Sequence, residues 1–389
     1  MGMIKAIQKY LKGDPIIWAV LIALSIFSLL AVYSSTGTLA YRYQGGNTSY
    51  YFIKHASSLL AGLFIVFLVH LIPYRLFSRI SQVMLVIAVP LLLFTLVFGS
   101  NINQATRSLK IPVIGMTIQT FDFAKLALIM FIARMLSLHQ GDVSNNLNTF
   151  LKMLGPVILI CGLIMPANLS TALILFAACY VLMFIGRVRF RYLASFGSLV
   201  LLIVSLVILI ALHSEWEGRW GTWKNRIESF IDKDAGDNYQ VNQSKIAIVS
   251  GGLIKLRPGK SIQRNYLPHP YSDFIYAIIV EEYGLIGGIV VMFLYLYLLF
   301  RAGVMVRKCT RTFPAFLAIG LTILIVMQAI TNMAVAVNIF PVTGQPLPII
   351  SMGGTSILFT CVSLGILLSV SRGIDQPEAT DVGENEEEQ

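Results

Sequence analysis

An all-α integral membrane protein of about ten transmembrane helices is the fold class this sequence predicts. Three observations carry it. Hydrophobic residues make up 56% and charged residues 12% of 389, with a mean hydropathy of +0.76, too much apolar surface for a soluble fold of this size. Apolar runs of about twenty residues recur along the chain, each long enough to cross the hydrocarbon core. Lys and Arg fall in alternate short loops, the asymmetry that orients a polytopic protein.

Taken in order, residues 1–12 place Ile4, Ile7 and Leu11 on one helical face and Lys5, Lys9 and Lys12 on another, which predicts a short interfacial helix. The run from Pro15 to Tyr33 is too long for the apolar core of a signal peptide and no small-residue cleavage site follows, so it reads as a retained helix. Spans are predicted at 15–34, 53–72, 78–99, 118–138, 149–165, 168–186, 192–213, 273–300, 313–337 and 352–371. One set of loops carries Lys12, Arg75, Arg79, Arg134, Lys152, Arg187, Arg189, Arg191, Arg301, Arg307, Lys308, Arg311 and Arg372. The opposite short loops hold little beyond Arg42, Lys54, Arg107 and Lys110. The positive-inside rule then places both termini in the cytoplasm and the long loop 214–272 outside. Residues 1–374 form one membrane domain in this reading, and the acidic, aromatic-free tail 375–389 is expected to be disordered and cytoplasmic.

In the long loop, Trp216, Trp220, Trp223, Ile227 and Phe230 recur at spacings of four and three, the stripe of an amphipathic helix. Such a helix either packs on the protein's own outer surface or lies in the outer headgroup layer. The following stretch is polar and Gly-rich, with Lys255, Arg257 and Lys260 beyond Gly251-Gly252. Basic groups near exposed amides suit phosphate, although an ordinary solvated loop has the same composition. No Walker-type context accompanies them. Between the last two spans, Pro341, Gly344, Pro346, Pro348, Gly353 and Gly354 break the helix pattern. Irregular backbone at membrane depth survives only buried in protein or lining a wet cavity, so a re-entrant outer segment is predicted. The four cysteines lie in or beside apolar runs and form no disulfide or metal-ligand pattern. The net charge of +10 reflects membrane orientation, and no basic-aromatic motif for nucleic acid is present.

Charged groups in apolar spans need a partner or a purpose. Asp122 and Lys125 stand at i,i+3 and can neutralise each other; with Arg107 and Lys110 in the preceding outer loop they are also candidates for an anionic ligand. Asp273 opens a predicted helix after Pro270 and Ser272, where it suits a cap as well as chemistry. Glu281 and Glu282 lie two turns further along the same predicted helix, and fixing it in its bundle is the role assigned to them.

Four blocks resemble the SEDS family of bacterial cell-wall polymerases, the FtsW, RodA and SpoVE group. They are Arg107 with Gln119-x-x-Asp122-x-x-Lys125; Tyr239-Gln240-x-x-Gln243-Ser244-x-x-Ala247-x-x-Ser250-Gly251-Gly252; Leu267-Pro268 with Asp273-Phe274-Ile275-Tyr276-Ala277 and Glu281-Glu282-x-Gly284; and Pro341-x-Thr343-Gly344-x-x-Leu347-Pro348-x-x-Ser351-x-Gly353-Gly354-x-Ser356. Departures fall at Ser108, at Thr120-Phe121-Asp122, at Pro166-Ala167-Asn168 and at Tyr271-Ser272. The resemblance implies a peptidoglycan glycosyltransferase of the bacterial inner membrane that polymerises lipid II into β-1,4 glycan strands on the outer face. It implies a class B penicillin-binding protein as partner, within the division or elongation machinery, with the compact loops leaning towards division. Asp273 is then the general base, Arg107 and Lys125 the diphosphate ligands, and Asp122, Lys255, Lys260, Ser351, Gly353 and Gly354 further substrate-site candidates. A divalent cation, Mg²⁺ or Mn²⁺, can share the diphosphate's charge, with no ligands assigned. A lipid II flippase and a non-catalytic scaffold for the transpeptidase are the alternative readings.

Overall fold

Each of the ten predicted spans coincides with a helix in the computed structural model, which describes residues 12–102, 105–110, 117–141, 146–213, 221, 230 and 239–375, the strands and parts of the helix ending at His213 as backbone alone. The helix predicted over residues 1–12, except for Lys12, almost all of the predicted tryptophan stripe of the long loop and the 376–389 tail lie outside the described residues.

Helix α1 (Pro15–Ser35) starts where Asp14 caps it, its Oδ1 accepting from Ile16 N at 2.9 Å, with Pro15 at the first position where a missing N–H costs nothing. A short α2 (Gly37–Tyr43) follows, which the hydropathy pattern did not predict. Next come α3 (Thr48–Leu71), capped by Asn47, and α4 (Tyr74–Phe98). Then α5 (Thr120–Leu138), α6 (Leu147–Ile164), α7 (Leu169–Ile185) and α8 (Phe190–His213) complete the first eight. Beyond the long loop lie α9 (Tyr239–Gly251), α10 (Ile275–Lys308), α11 (Thr312–Ala336) and α12 (Thr355–Asp375).

Among the described residues, α1, α3, α4, α6, α10, α11 and α12 are long and apolar enough to cross a membrane. Helix α7 is shorter, and α5 has the length but carries Asp122, Lys125 and Arg134. Helix α5 tolerates them because it is an inner helix, most of its residues buried against α4, α7 and α11. Helix α11 packs on α5, α7, α10 and α12 and forms the centre of one continuous apolar core. The outward side chains of the peripheral helices, such as Leu60, Val86 and Val97, are large, apolar and exposed, a surface made for lipid.

Three differences from the sequence-based expectation matter. The loop before α5 is not purely irregular: β1 (Ser100–Ile102), β2 (Ala105–Lys110) and β3 (Thr117–Ile118) form an antiparallel sheet in that order. Backbone pairing satisfies peptide groups close to the hydrocarbon, and the strands are too short to show a period in sequence. The stretch from Tyr239, expected to be loop, is helix α9, which buries Val241, Ser244, Ala247 and Gly251 as one stripe.

The third difference is in α10. It runs to Lys308 and is broken at Gly284, whose φ of 72° and ψ of −179° suit glycine alone. Residues 275–283 are therefore a separate short arm, and Glu281 and Glu282 end it instead of lying inside a continuous span. Strand-like bonds from Leu285 N to Gly252 O (2.9 Å) and Ile286 N to Leu253 O (3.3 Å) take up carbonyls of the loop after α9 at the break. A Cβ at Gly284 would sit 2.7 Å from Leu253 O and 2.8 Å from Lys255 N, both backbone. Gly284→Ala should therefore cost about 1–3 kcal/mol from the backbone conformation alone, with the clash in addition, read as a lowered unfolding midpoint in detergent.

Candidate active site

The site is built from the irregular segment 337–354, which enters the protein and must satisfy its peptide groups there. Side chains of three helices do so. Gln328 donates to Pro346 O at 3.1 Å and Asn332 to Gln345 O at 2.7 Å, both from α11. Tyr295 of α10 donates its hydroxyl to Pro348 O. Ser28 of α1 donates to Ile349 O (2.8 Å) and Ile350 O (3.0 Å), and its hydroxyl also meets His55 Nε2 at 2.7 Å. The Leu347 carbonyl accepts from Ser351 N at 2.9 Å. Gln345 reaches out to Thr171 Oγ1 at 2.6 Å, beside Asn168, the cap of α7. Leu347, Ile349 and Ile350 are buried beneath this ladder.

Asp273 is clamped against the segment by its main chain. Asn332 Nδ2 donates to Asp273 O at 2.9 Å, Ser351 Oγ to Ser272 O at 2.6 Å, and Met352 N to Tyr271 O at 2.9 Å. The helical arm begins at Ile275 with Phe274 in the cap position and no side-chain cap bond, so Asp273 does not cap it. Its half-buried carboxylate takes one side-chain hydrogen bond among the described residues, from Ser272 Oγ at 2.9 Å. A carboxylate with a fixed backbone and spare lone pairs can accept a proton from a ligand. Burial, and secondly the Asp273 charge, push the neighbouring Tyr271 phenol above its ordinary pKa, so it stays a neutral donor or acceptor.

Lys125 and Asp122 form the ion pair their spacing allows, at 2.6 Å, with side chains 8% exposed each. Lys125 Nζ also reaches Gln328 Oε1 at 3.3 Å. Asp122 Oδ2 is buried with no partner among the described residues. The i,i+4 amides Gln328 and Asn332 thus join Lys125 on one side and Asp273 on the other to adjacent carbonyls of the segment. Neither amide was singled out in the sequence, although two of them a turn apart in an apolar span are a signal. Tyr295 and Ser28 carried no such signal.

Glu281 and Glu282 hold the loop 257–264. Glu281 Oε1 accepts from Ile262 N (2.9 Å) and Gln263 N (3.3 Å), and its other oxygen from Ser261 Oγ. Glu282 Oε1 accepts from Ser261 N at 3.1 Å and from Ser34 Oγ of α1, while Arg264 donates to Ser34 O at 2.9 Å. Ser351, predicted to line a cavity, is 1% exposed and has its hydroxyl committed to Ser272 O and Leu347 N. Gly354 is exposed with φ of 52° and Gly353 lies partly covered before α12. Lys255 donates to Ser250 O at 2.8 Å, and Lys260 is exposed on the loop that Glu282 anchors. Arg107 lies on β2, and its side chain is outside the described residues. Among the described residues no three His, Cys, Asp or Glu side chains gather to hold a metal, so they do not fit a protein-built metal cage.

A polytopic helical membrane protein with a clamped acid beside a re-entrant segment at one end is the class that fold and site define. The chain belongs to the FtsW/RodA/SpoVE family of cell cycle proteins, whose model matches residues 14–376. It is 32% identical over 382 residues to the probable peptidoglycan glycosyltransferase FtsW of Bacillus subtilis, covering 96% of this chain and 94% of that one. To the protein of the same name from Coxiella burnetii it is 31% identical over 366 residues, covering 91% and 95%. Its fold is similar, with a TM-score of 0.70 over 94% of this chain and 99% of the other, to a chain of a solved peptidoglycan synthase complex that coordinates polymerization and crosslinking. At 21% identity that likeness concerns the fold.

Proposed function

We propose that this chain is a peptidoglycan glycosyltransferase that polymerises lipid II into β-1,4 glycan strands on the outer face of the cytoplasmic membrane, with Asp273 as general base. The observation that carries the reading is the Asp273 clamp: three hydrogen bonds fix its main chain and its neighbours, and among the described residues the carboxylate takes a side-chain hydrogen bond from Ser272 alone. Asp273 takes the proton of the acceptor sugar's hydroxyl as that oxygen attacks the donor's anomeric carbon, and the bond to the diphosphate breaks. Arg107 and the basic loop of Lys255 and Lys260 are the groups proposed to meet the leaving diphosphate's charge. A divalent cation, Mg²⁺ or Mn²⁺, fits this reading as a companion of the diphosphate. Lys125 reaches substrate only if Asp122 releases it.

A class B penicillin-binding protein is the partner this reading requires, working in cell division, as the FtsW names of the relatives suggest. Purified protein with and without such a transpeptidase, given labelled lipid II, should yield glycan chains. A chain that binds the transpeptidase and makes none would be the scaffold of the alternative reading. Asn332→Ala removes the donor to both Asp273 O and Gln345 O. It should slow polymerisation by about 10²-fold through lost positioning while lipid II still binds. An unchanged rate would show that the clamp does not set the geometry of Asp273.

A further inference from the structure

We propose that the end of the molecule opposite Asp273 binds the phosphate of an anionic phospholipid headgroup, in a cavity where the start of α1 meets the ends of α10 and α12. The cavity measures about 200 Å³. Its polar lining is Asp14, Arg301, Lys308 and Ser371, and Val304, Met305 and Ile374 supply an apolar wall. A polar end against an apolar wall matches the join between a headgroup and its acyl chains.

Charge and geometry select the ligand. Asp14 has both oxygens committed, Oδ1 to Ile16 N as the α1 cap and Oδ2 to Arg301 Nε. That bond fixes the Arg301 guanidinium by one edge and leaves its two Nη groups without a partner among the described residues, the fork that suits a phosphate. Lys308 is exposed and has no ion-pair partner among the described residues. Two cations against one acid leave the cavity cationic. Lys308 lies on the order of 35 Å beyond the Gly284 break at 1.5 Å rise per residue, about the thickness of a bilayer's hydrocarbon. With Asp273 at the outer edge, the cavity falls in the inner headgroup layer, where anionic lipid is drawn to basic side chains. An acidic peptide could use the same cations, but it has no use for the apolar wall, so the lipid is favoured.

The test uses the full chain purified in mild detergent, with retained phospholipid counted by native mass spectrometry. Wild type should retain phosphatidylglycerol in preference to phosphatidylcholine. Arg301 also holds Asp14, so its variants can fail for structural reasons, and Lys308 is the residue to change. Lys308→Ala should reduce phosphatidylglycerol retention about tenfold, the low end of the worth of a hydrogen bond to a charged group, and Lys308→Glu should reduce it further. Arg307→Ala, one residue away and outside the cavity lining, should retain lipid like wild type. Equal loss in Arg307→Ala, no preference for phosphatidylglycerol, or displacement of the lipid by inorganic phosphate at equal concentration would overturn the proposal, the last in favour of a free anion. Displacement of the lipid by an acidic peptide at equal concentration would overturn it in favour of a protein partner.

Discussion

Asp273→Asn should fold with a wild-type unfolding midpoint and lose on the order of 10²-fold or more in lipid II polymerisation, the scale of a removed general base. Retained folding follows from the clamp. The bonds from Asn332, Ser351 and Met352 all end on main-chain carbonyls at 271–273, and none uses the carboxylate. An asparagine amide oxygen can still accept from Ser272 Oγ, so the variant changes charge and basicity and little else. Labelled lipid II incubated with the variant and its transpeptidase, with chain length read on gels, gives the rate. A folded variant that polymerises as fast as wild type removes Asp273 from the chemistry and revives the scaffold reading.

Lys125→Ala should be the most destabilising single change in the site, at about 3–5 kcal/mol, because it leaves a buried carboxylate without its counter-charge. Asp122 is 7% exposed and one of its oxygens already lacks a partner among the described residues. Adding Asp122→Asn to Lys125→Ala should recover much of the loss, since the amide is cheaper to bury than the charge. Unfolding in detergent compares wild type, the single variant and the double variant. If Lys125→Ala is instead as stable as wild type and binds lipid II more weakly, the lysine is a substrate ligand and the ion pair is incidental.

The positions of the spans were legible because an apolar run of bilayer length has few other uses, and Asp273 was legible as an acid where lipid cannot shield it. Other features were not, each for a physical reason. Nothing about Gly284 marks it against Gly287 and Gly288, which stay helical in the same arm-and-span sequence; only the carbonyls of Gly252 and Leu253 show why the chain breaks there. Helix α9 hid behind its polar residues, although its buried stripe was present in the spacing of Val241, Ser244 and Ala247. Ser351 has the look of a site residue in sequence and proves to be a clamp, since a hydroxyl can hold backbone as readily as ligand. Gln328 and Asn332 were readable by the rule that flagged Lys125, that polar groups in a span must be satisfied.

The carbonyl ladder of segment 337–354 also bears on the order in which the protein can be made. Tyr295, Gln328 and Asn332 precede their carbonyl partners in the segment by 53, 18 and 13 residues, whereas Ser28 and the carbonyl of Ile349 are 321 residues apart in the chain. Contacts so distant form last, because chain closure must precede them. The ribosome therefore releases Asp273 well before Gln345 and Ser351 exist to position it. A nascent chain ending before Ser351 holds the acid and Asn332 but lacks the other two donors of its clamp, so the clamp is complete only once the segment leading into the final helix has been made.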